Sequence, residues 1–405
     1  EFYKEKIGDL KLRASYGILG SQAIGTYDRF TVYDVYDNSY AYNNKTVSGA
    51  GFKLGLENLT WEKTQTFNIG VDASFLQNSL TVTFDYFHKR TNDILMKPLI
   101  SSVFGTEMPM ANIGKMQNQG WDLSVNYRLK TGAFTHNFNF NLGDSWNKVL
   151  EFPGDEQITQ VEELSRIIRV GVPLNSYYGY KMAGFFQSYD EIEASAIPVG
   201  AKVQPGDIKF VDRNDDGIID SKDKFILGNA FPRYTFGFTY GLNWKGIDFS
   251  MFWQGVGKRD MMLRGELIEP YHANYSYTIY KHQLDFWTPT NTEARWPRLA
   301  APGSDSNRNN YGNGNGSDLF LLDGKYLRLK NLTIGYTLPK EWTKHLGMQK
   351  ARLYINGQNL LTFSNNSFID PESSEFDSKM STSGANSGRS YPTLRYFGFG
   401  VDIEF

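Results

Sequence analysis

The chain has 405 residues and an almost balanced charge, with 42 Lys and Arg against 44 Asp and Glu and a formal net charge of -2. Nucleic-acid binding needs a basic surface, so this balance argues against a nucleic-acid partner. The absence of cysteine excludes disulfides, thiolate zinc sites and cysteine nucleophiles. Because no run of about 18 apolar residues occurs, the sequence predicts no transmembrane helix.

Aromatic residues make up 15% of the chain. Such enrichment is typical of β-strands, and especially of barrels that carry aromatic girdles at both lipid interfaces. Ten segments alternate apolar and polar residues with a period of two, which is the pattern of a strand with two different faces. In chain order, the predicted strands are 11–18, 65–75, 79–87, 121–129, 135–143, 234–244, 247–254, 326–338, 351–361 and 395–405.

The last predicted strand shows the pattern most clearly, in the segment "RYFGFGVDIEF". Its apolar residues share one parity, so an extended chain places them on one face; they are Phe397, Phe399, Val401, Ile403 and Phe405. A soluble β-sandwich with one face in a core and a transmembrane β-barrel with one face in lipid both produce this alternation. The strands alone therefore leave the fold class open.

The connections between the predicted strands alternate in length. Short connections are "LQNS", "KTGA", "KG" and the modest "PKEWTKHLGMQK", and the long ones span 19–63, 89–120, 146–233, 256–325 and 362–394. Outer-membrane barrels show this asymmetry, with short periplasmic turns and long extracellular loops. The alternation therefore favours a membrane barrel, in which the first strand runs outward and Phe405 lies at the periplasmic rim.

One motif in the long region 146–233 has the spacing of a calcium-binding loop. In "DRNDDGIIDSKD", oxygen ligands stand at the required positions, with a glycine at the sharp turn; the predicted ligands are Asp212, Asn214, Asp216, the carbonyl of Ile218, Asp220 and Asp223. Asp223 departs from the longer Glu of an EF-hand, and no flanking helices are evident. The motif predicts a Ca²⁺ ion that orders the loop, and the alternative is a solvated acidic turn.

The long segment after Val256 is rich in aromatic residues. They are Tyr271, Tyr275, Tyr277, Tyr280, Trp287 and Trp296. Aromatic faces stack on sugar rings or pack on peptide side chains, which predicts contact with a substrate or with a lid protein. The alternative is that these residues pack against one another within the loop.

Several segments together resemble one known family. They include "LKLRASYGILGSQAIGTY", "NIGKMQNQGWDLSVNY", "PGDIKFVDRNDDGIIDSKDKFILGNAFPRYTFGF", "YLRLKNLTIGYTLP" and "RLYINGQNLLTF". Their order is similar to that of the TonB-dependent outer-membrane transporters of the SusC/RagA class of Bacteroidetes, from about Leu10 to Phe405. The resemblance implies an all-β fold in which residues 1–405 form the C-terminal part of a transmembrane antiparallel β-barrel. That barrel would have about 22 strands, with the plug and the first strands preceding Glu1.

The resemblance also implies a function. It predicts an outer-membrane importer of oligosaccharides or peptides, closed by a SusD-like surface lipoprotein and driven by a TonB-type protein that contacts the N-terminal part. The terminal Phe405 would then serve as the signal that the barrel-assembly machinery reads. Whether two transporter–lipoprotein pairs associate stays open.

No enzymatic motif competes with this interpretation, since G-x-S-x-G, Walker, H-E-x-x-H and helix-opening G-x-G-x-x-G patterns are missing from the sequence. Two other classes of protein remain as alternatives. A passive porin or adhesin barrel would conduct without energy coupling. A soluble calcium-stabilised β-sandwich that binds glycans would need no detergent.

Overall fold

The computed structural model describes residues 8–22, 24–98, 103, 108–154, 156–161, 164–272, 277–312, 314, 316–345, 347–373 and 391–405. Within these ranges strands are the main regular structure. In chain order they are β1 (Leu10–Ser21), β2 (Val32–Tyr42), β3 (Lys45–Lys53), β4 (Glu62–Phe75), β5 (Leu80–Met96), β6 (Ala111–Thr131), β7 (Phe134–Glu151), β8 (Glu156–Val161), β9 (Leu164–Arg169), β10 (Ser176–Gly179), β11 (Met182–Phe185), β12 (Ile197–Pro198), β13 (Ile208–Phe210), β14 (Ile218–Ile219), β15 (Phe225–Gly228), β16 (Arg233–Trp244), β17 (Ile247–Lys258), β18 (Asp260–Met262), β19 (Leu321–Asp323), β20 (Tyr326–Thr337), β21 (Lys350–Ser364) and β22 (Tyr396–Glu404).

Helices are few and short. They are α1 (Tyr189–Glu193), α2 (Asp305–Tyr311) and α3 (Lys340–Lys344), with single 3-10 turns at Ser221–Asp223, Gly265–Leu267, Lys281–Gln283 and Asp318–Phe320. Within the described ranges, no helix combines the length and the apolar character needed to cross a membrane.

Ten strands form one antiparallel sheet in the order β1-β4-β5-β6-β7-β16-β17-β20-β21-β22. This order follows the chain, so each strand pairs with the next one along the sequence, apart from the strands of the long connections. All ten predicted strands are confirmed, and each is one strand of this sheet. Neighbouring strands stay in register over long stretches, as in β1 and β4, where Leu12 lies opposite Val71 and Tyr16 opposite Phe67.

Three strands, β5, β6 and β7, are much longer than the alternation predicts. β7 runs on to Glu151, so the predicted connection 146–233 begins too early. β5 continues to Met96 and β6 begins at Ala111, so the connection between them covers only 97–110. The predicted long connection over 89–120 is therefore wrong in its bounds. The strand pattern fades in this region because "HKRTND" is polar at every position, and a strand that is polar on both faces shows no alternation.

The sheet has an apolar face and a polar face. On the apolar face large side chains are fully open to the surroundings, as shown by Phe399, which is 87% exposed, and by its register partner Ile355. Similar exposed residues on other strands are Leu12, Ile69, Phe84, Ile334 and Leu353. An apolar surface of this extent is unfavourable in water and suits the hydrocarbon of a bilayer.

The polar face carries hydrogen-bonding and charged groups. Arg13 on β1 donates from Nε to Asp72 Oδ2 over 2.7 Å and from Nη2 to Asp85 Oδ2 over 2.8 Å. On β7 the amide of Asn141 donates to Asn139 Oδ1 over 2.8 Å. The asparagines of "NFNFN" therefore lie on the polar face, as the alternation predicts.

The long connections fold into a compact unit with its own core. We call the described residues within 152–232, 259–325 and 365–373 the loop domain. Its main hydrophobic cluster includes Leu164, Tyr177, Met261, Met262, Leu263, Ile268, Trp296 and Phe320. A second cluster surrounds Ile208, Phe210 and Trp287. Because these loops bury large side chains of their own, the loop domain is a folded cap rather than a set of independent loops.

The first long connection forms a separate hairpin of β2 and β3, which pair antiparallel. None of its strand residues is buried. Aromatic and apolar side chains nevertheless project from it, with Tyr33 and Tyr42 each 77% exposed, and with Val35, Tyr40 and Phe52 also exposed. The hairpin is therefore an apolar surface without a cover within the described chain.

Candidate functional site

Two grooves lie where the polar face of the sheet meets the loop domain. The upper groove has a volume of about 510 Å³ and is lined by strands β5, β6, β7 and β16, together with Leu174, Phe231 and Pro232 of the loop domain. The lower groove, of about 480 Å³, continues along the sheet to β17. Asp122, Gly143 and Thr235 line both grooves, so the two form one continuous trough.

The strand register sets which side chains face this trough. Asn118 lies opposite Asn147, and Gly120 lies between Phe87 on one side and Ser145 on the other. The ring of Phe87 lies against Gly120, where a β-carbon would approach the ring Cζ to 2.7 Å. A glycine is needed here because any side chain would collide with the tip of this ring. Phe87 thereby forms an aromatic floor between two rows of polar groups.

The charges around the trough are mostly paired. Asp144 is only 5% exposed and forms a two-pronged ion pair with Arg233. Nη2 of Arg233 lies 2.6 Å from Oδ2, and Nε donates to Oδ1. Asp85 is held by Arg13. Lys89 on β5 lies opposite Asn118 and over the ring of Phe87, with Nζ 5.3 Å from the ring centre, so a lysine ammonium borders the upper groove.

Asp122 differs from these acids. Its side chain is exposed and makes no hydrogen bond or salt bridge with the described residues. Its Oδ1 lies over Gly143, where a β-carbon would approach it to 2.4 Å, and Asp85 is its register partner on the other side. The amide of Asn118, two rows above Asp122 on the same face of β6, is also without a hydrogen-bond partner among the described residues. The trough therefore offers a carboxylate and an amide that are available to a ligand.

The calcium motif forms a closed loop that is held by hydrogen bonds to its own side chains. Gly217 N donates to Asp212 Oδ2 over 2.8 Å, and the amide of Asn214 donates to Asp216 Oδ2 over 2.8 Å. Asp212 Oδ1 is buried without a partner in the described structure. No cluster of three or more acidic, histidine or cysteine side chains suited to a metal ion is present in the described ranges.

The last predicted ligand has another role in the structure. Asp223 is fully buried, and its two carboxylate oxygens accept backbone hydrogen bonds from Arg213 over 2.9 Å and from Asp220 over 2.7 Å. The carboxylate therefore closes the loop by joining its two ends. A shorter Asp suits this position because it reaches the backbone of its own loop.

The structure corrects the prediction for the two tryptophans. Trp296 is 0% exposed and donates from Nε1 to the His282 carbonyl over 2.8 Å, while Trp287 is 7% exposed and donates to Gln187 over 3.0 Å. Neither ring can be reached by a substrate or a lid, because both are part of the loop-domain core. The alternative of packing within the loop holds for them.

The tyrosines of the same segment differ from one another. Tyr277 is 62% exposed and so remains a candidate contact for a substrate or a lid. Tyr271 is half-buried, and Tyr280 packs against the main core. Tyr275 lies outside the described residues.

Burial changes the protonation of several loop-domain groups. His282 stacks on Phe368 with ring centres 3.9 Å apart, and one ring nitrogen lies 2.8 Å from the Leu267 carbonyl. Its burial lowers the pKa of the imidazole, because the charged form is poorly solvated there. Desolvation likewise raises the pKa of Asp260 and of Asp318. These groups belong to the folding of the cap and not to the trough.

Sequence reasoning did not single out Phe87, Asn118 or Asp122. The faces of Phe87 and Asp122 could be read from the predicted strands, since Asp85 and Phe87 alternate with Phe84 and Tyr86, whereas Asn118 lies in a predicted connection. Their meeting under the loop domain was not readable, because it depends on the pairing of β5 with the extended N-terminal half of β6.

Residues 6–360 match the family model described as TonB dependent receptor-like, beta-barrel. The chain belongs to this family. The predicted SusC/RagA-class relationship, the transmembrane antiparallel barrel fold and the outer-membrane location are confirmed. The family is one of transporters, so the prediction that the chain is not an enzyme is also confirmed. In this barrel family the polar face of the sheet is the one that borders the lumen.

Relatives with known names extend the comparison. TonB-dependent receptor P26 of Formosa agariphila is 33% identical over 422 residues, which cover 99% of this chain and 40% of that protein. TonB-dependent receptor SusC of Bacteroides thetaiotaomicron is 29% identical over 98% of this chain and 38% of its own length. A solved structure of the RagAB peptide transporter has a similar fold, with a TM-score of 0.77 at 23% identity, covering 100% of this chain and 41% of that one. The chain thus spans about two fifths of the length of these relatives.

Proposed function

We propose that this chain is the C-terminal part of a TonB-dependent importer that carries an oligosaccharide or a peptide across the outer membrane. One observation carries the proposal: a trough in the polar face of the barrel wall opens directly beneath a folded cap of extracellular loops. A binding site between a wall and a cap suits capture followed by gated passage. Such transport needs no covalent chemistry.

We also propose that a SusD-like surface lipoprotein covers the extracellular side. The exposed aromatic side chains of the β2–β3 hairpin, together with Tyr277, form apolar surface that lies outside the sheet and its lipid-facing side. Exposed apolar surface of this kind is typical of protein interfaces. Contact with a TonB-type protein would involve parts of the protein that precede this chain.

The experiment compares uptake and composition of the full-length protein in its own outer membrane. Uptake of a labelled substrate extract is measured in cells with and without their TonB-type protein, and the transporter is purified in mild detergent for mass spectrometry. We expect energy-dependent uptake and a lipoprotein in equal amount. A protein that purifies alone, and that passes solutes equally well without TonB, would instead be the passive pore that a polar barrel wall also permits.

We further infer that the loop around residues 212–223 binds one Ca²⁺ ion through Asp212, Asn214, Asp216, the Ile218 carbonyl and Asp220. The support is the ligand spacing together with the buried, unpartnered Asp212 Oδ1. When bound, the ion would neutralise this acidic loop and fix it within the cap. Asp223 has a different part in this proposal, since its carboxylate already joins the two ends of the loop.

A further inference from the structure

Aromatic side chains form one surface on the apolar face of the sheet, where β7 begins and β16 ends. We call this surface the aromatic shelf, and it consists of Phe134, His136, Phe138, Tyr240 and Trp244. We propose that the shelf and the adjacent Lys245 bind the headgroup of an anionic phospholipid of the periplasmic leaflet. The inference goes beyond the proposed import function and does not rest on it, since it concerns the outer side of the barrel wall.

The strand register sets the depth of the shelf in the membrane. Phe134, the first residue of β7, lies opposite Trp244, the last residue of β16. His136 lies one row further along the same face, and Tyr240 two rows further. Short turns lie on the periplasmic side of outer-membrane barrels, so the shelf lies at the level of the lipid headgroups of that leaflet. Trp and Tyr are enriched at this level.

The rings of the shelf stack on one another. The ring centres of Phe134 and Trp244 are 5.3 Å apart with 8° between their planes, and those of Phe134 and His136 are 6.1 Å apart with 24°. Phe138 continues the row, with its ring centre 5.0 Å from that of Tyr240. Packed rings have little freedom to turn, so a polar group among them has a fixed position.

His136 brings an ionisable ring into this apolar surface. Its Nδ1 lies 2.9 Å from the Tyr240 hydroxyl, and its Nε2 makes no hydrogen bond within the described residues. A hydroxyl that donates to Nδ1 leaves the ring proton on Nε2, which can then donate to a phosphate or ester oxygen. Because an ionisable side chain on the lipid side of a membrane protein is costly without a polar partner, a lipid headgroup is the partner that fits this position.

Lys245 supplies a positive charge beside the shelf. It stands in the turn between β16 and β17, with Nζ 5.9 Å from the centre of the Trp244 ring, and has no salt bridge within the described residues. The two turns and their flanking residues, 127–138 and 240–249, contain one acid, Asp248, and Arg352 binds its carboxylate over 2.6 Å. An exposed ammonium group without a competing carboxylate attracts anionic lipid at the membrane surface.

The two polar groups stand at different depths, as the polar groups of a phospholipid do. His136 lies one row deeper than the Trp244 row at the rim, which is roughly 6 to 7 Å along a strand. A phospholipid carries its phosphate outermost and its ester carbonyls one step deeper, above the acyl chains. With the phosphate at Lys245 and an ester carbonyl at His136, the acyl chains lie along Phe138 and the apolar face beyond it.

The test uses the full-length transporter in detergent and native mass spectrometry, which counts the bound lipids. Delipidated protein is titrated with dioleoyl phosphatidylglycerol, and with dioleoyl phosphatidylcholine as the zwitterionic probe. We expect the first phosphatidylglycerol to bind more tightly than the following ones, and more tightly than phosphatidylcholine, whose choline cation offsets the phosphate charge. Lys245→Gln and His136→Phe should each weaken this first binding by about five- to tenfold, as the loss of one hydrogen bond to a charged or polar ligand predicts. Lys245→Arg should keep it.

Two matched variants serve as controls. Lys130→Gln changes a lysine at the end of β6, in the neighbouring turn, whose parity is that of Asp122 and places it on the polar face. His88→Phe changes a histidine on the apolar face, four rows above the periplasmic end of β5. Both should bind phosphatidylglycerol like the wild type.

Three results would overturn the proposal. Equal affinity of the wild type, Lys245→Gln and His136→Phe for the first phosphatidylglycerol would remove the shelf as its site. Equal binding of phosphatidylglycerol and phosphatidylcholine would remove the anionic preference. Competition by glycerol 3-phosphate, which has no acyl chains, would show a site for a free phosphate and not for a lipid. Since Lys245 lies in an exposed turn, the comparison of Lys245→Gln with Lys245→Arg decides the outcome even where His136→Phe does not fold.

Discussion

Arg352 on β21 reaches across β20 to Asp248 on β17, with Nε at 2.8 Å from Oδ1 and Nη2 at 2.6 Å from Oδ2. The strand between them offers Gly335 at the crossing point. A β-carbon there would lie 2.5 Å from Asp248 Oδ1 and 2.6 Å from Arg352 Nε. Arg13 makes a similar bridge from β1 over Gly70 of β4 to Asp85 of β5. A glycine beneath an arginine thus lets one ion pair tie three adjacent strands together.

Gly335→Ala should destabilise the barrel by about 1 to 3 kcal/mol, because the new methyl group displaces a two-pronged ion pair. The matched control is Gly241→Ala on the same polar face, where the nearest atom to a β-carbon is 3.8 Å away. That control should be neutral or slightly stabilising, since alanine costs less entropy than glycine in a strand. Thermal unfolding of the purified full-length protein measures both, and equal midpoints for the two variants would contradict the bridge.

Asp144→Ala should cost about 2 to 4 kcal/mol, because it leaves the guanidinium of Arg233 without its partner in a mostly buried place. Arg233→Lys should recover only part of the stability, since an ammonium group cannot make the two-pronged contact. The control is Glu151→Ala, which removes the more exposed pair with Lys115 and should change the free energy of unfolding by less than about 1 kcal/mol. Denaturant unfolding of the full-length protein gives all three values, and similar losses for Asp144→Ala and Glu151→Ala would refute the ranking.

The barrel strands could be predicted from sequence because lipid on one side and a polar lumen on the other impose a strict period of two. Phe84 and Asp85 already reveal their faces by being neighbours. The bounds of β5 and β6 could not be predicted, because the extensions beyond the apolar band are polar on both faces. Pairing between distant segments carries no local signal, so the meeting of Phe87 with Phe231 in the upper groove required the structure.

The loop domain was harder to predict than the sheet. Trp287 and Trp296 stand in a segment rich in Asn, Thr and Pro, which has the composition of an exposed loop. They are core residues because other long connections pack around them, a tertiary effect without a local pattern. The calcium motif shows the reverse case, since its spacing is strictly local; its ligand role stays a prediction, while the closing contacts of Asp223 came from the structure.

His282 should make the cap less stable in mild acid. Its pKa is lowered in the fold, whereas in the unfolded chain it is near 6.5. Between these two values the unfolded state binds more protons, so stability falls as the pH falls below about 6.5. His282→Phe should keep a ring on Phe368 and remove this dependence, while losing about 1 kcal/mol at neutral pH with the hydrogen bond to Leu267.

Hydrogen exchange of the 280–300 segment in the full-length protein, followed between pH 7.5 and pH 5, measures this effect. His345→Phe provides the control, since His345 is exposed beside α3 and lies outside the loop domain. The protection of the segment should fall with pH in the wild type and in that control, and should stay flatter in His282→Phe. Parallel curves for all three proteins would show that His282 is not the responsible group.

Calcium should stabilise the cap if the loop around 212–223 binds it. At a calcium concentration about one hundred times the dissociation constant, one site adds about 2.7 kcal/mol to the free energy of unfolding of the state that binds the ion. Calorimetry on chelator-treated full-length protein should show heat on adding Ca²⁺ and none for Asp212→Asn. Asp190→Asn, an exposed acid in α1, should bind calcium like the wild type. The absence of any calcium heat at millimolar concentration would remove the site.

Asp223→Asn separates loop closure from metal binding. Its amide can accept only one of the two backbone hydrogen bonds, from Arg213 or from Asp220, so the loop should loosen even in the absence of calcium. Faster proteolysis within the 212–223 loop of metal-free protein would report this loosening. Protection equal to that of the wild type would mean that the buried carboxylate does not hold the loop.

The cap itself should depend on Trp296 and not on Tyr277. Trp296→Ala removes a fully buried indole from the main cluster and should destabilise the loop domain by about 3 to 5 kcal/mol. Because the barrel sheet has its own ladder of hydrogen bonds, we expect the protein to remain inserted while its cap becomes sensitive to protease. Tyr277→Ala removes an exposed ring and should leave cap stability within about 0.5 kcal/mol of the wild type. If the lid contacts this tyrosine, Tyr277→Ala should instead lose lipoprotein during purification. A Tyr277→Ala protein that keeps both its stability and its partner would remove Tyr277 from the interface. A protease-resistant cap in Trp296→Ala would show that the cap does not depend on this core.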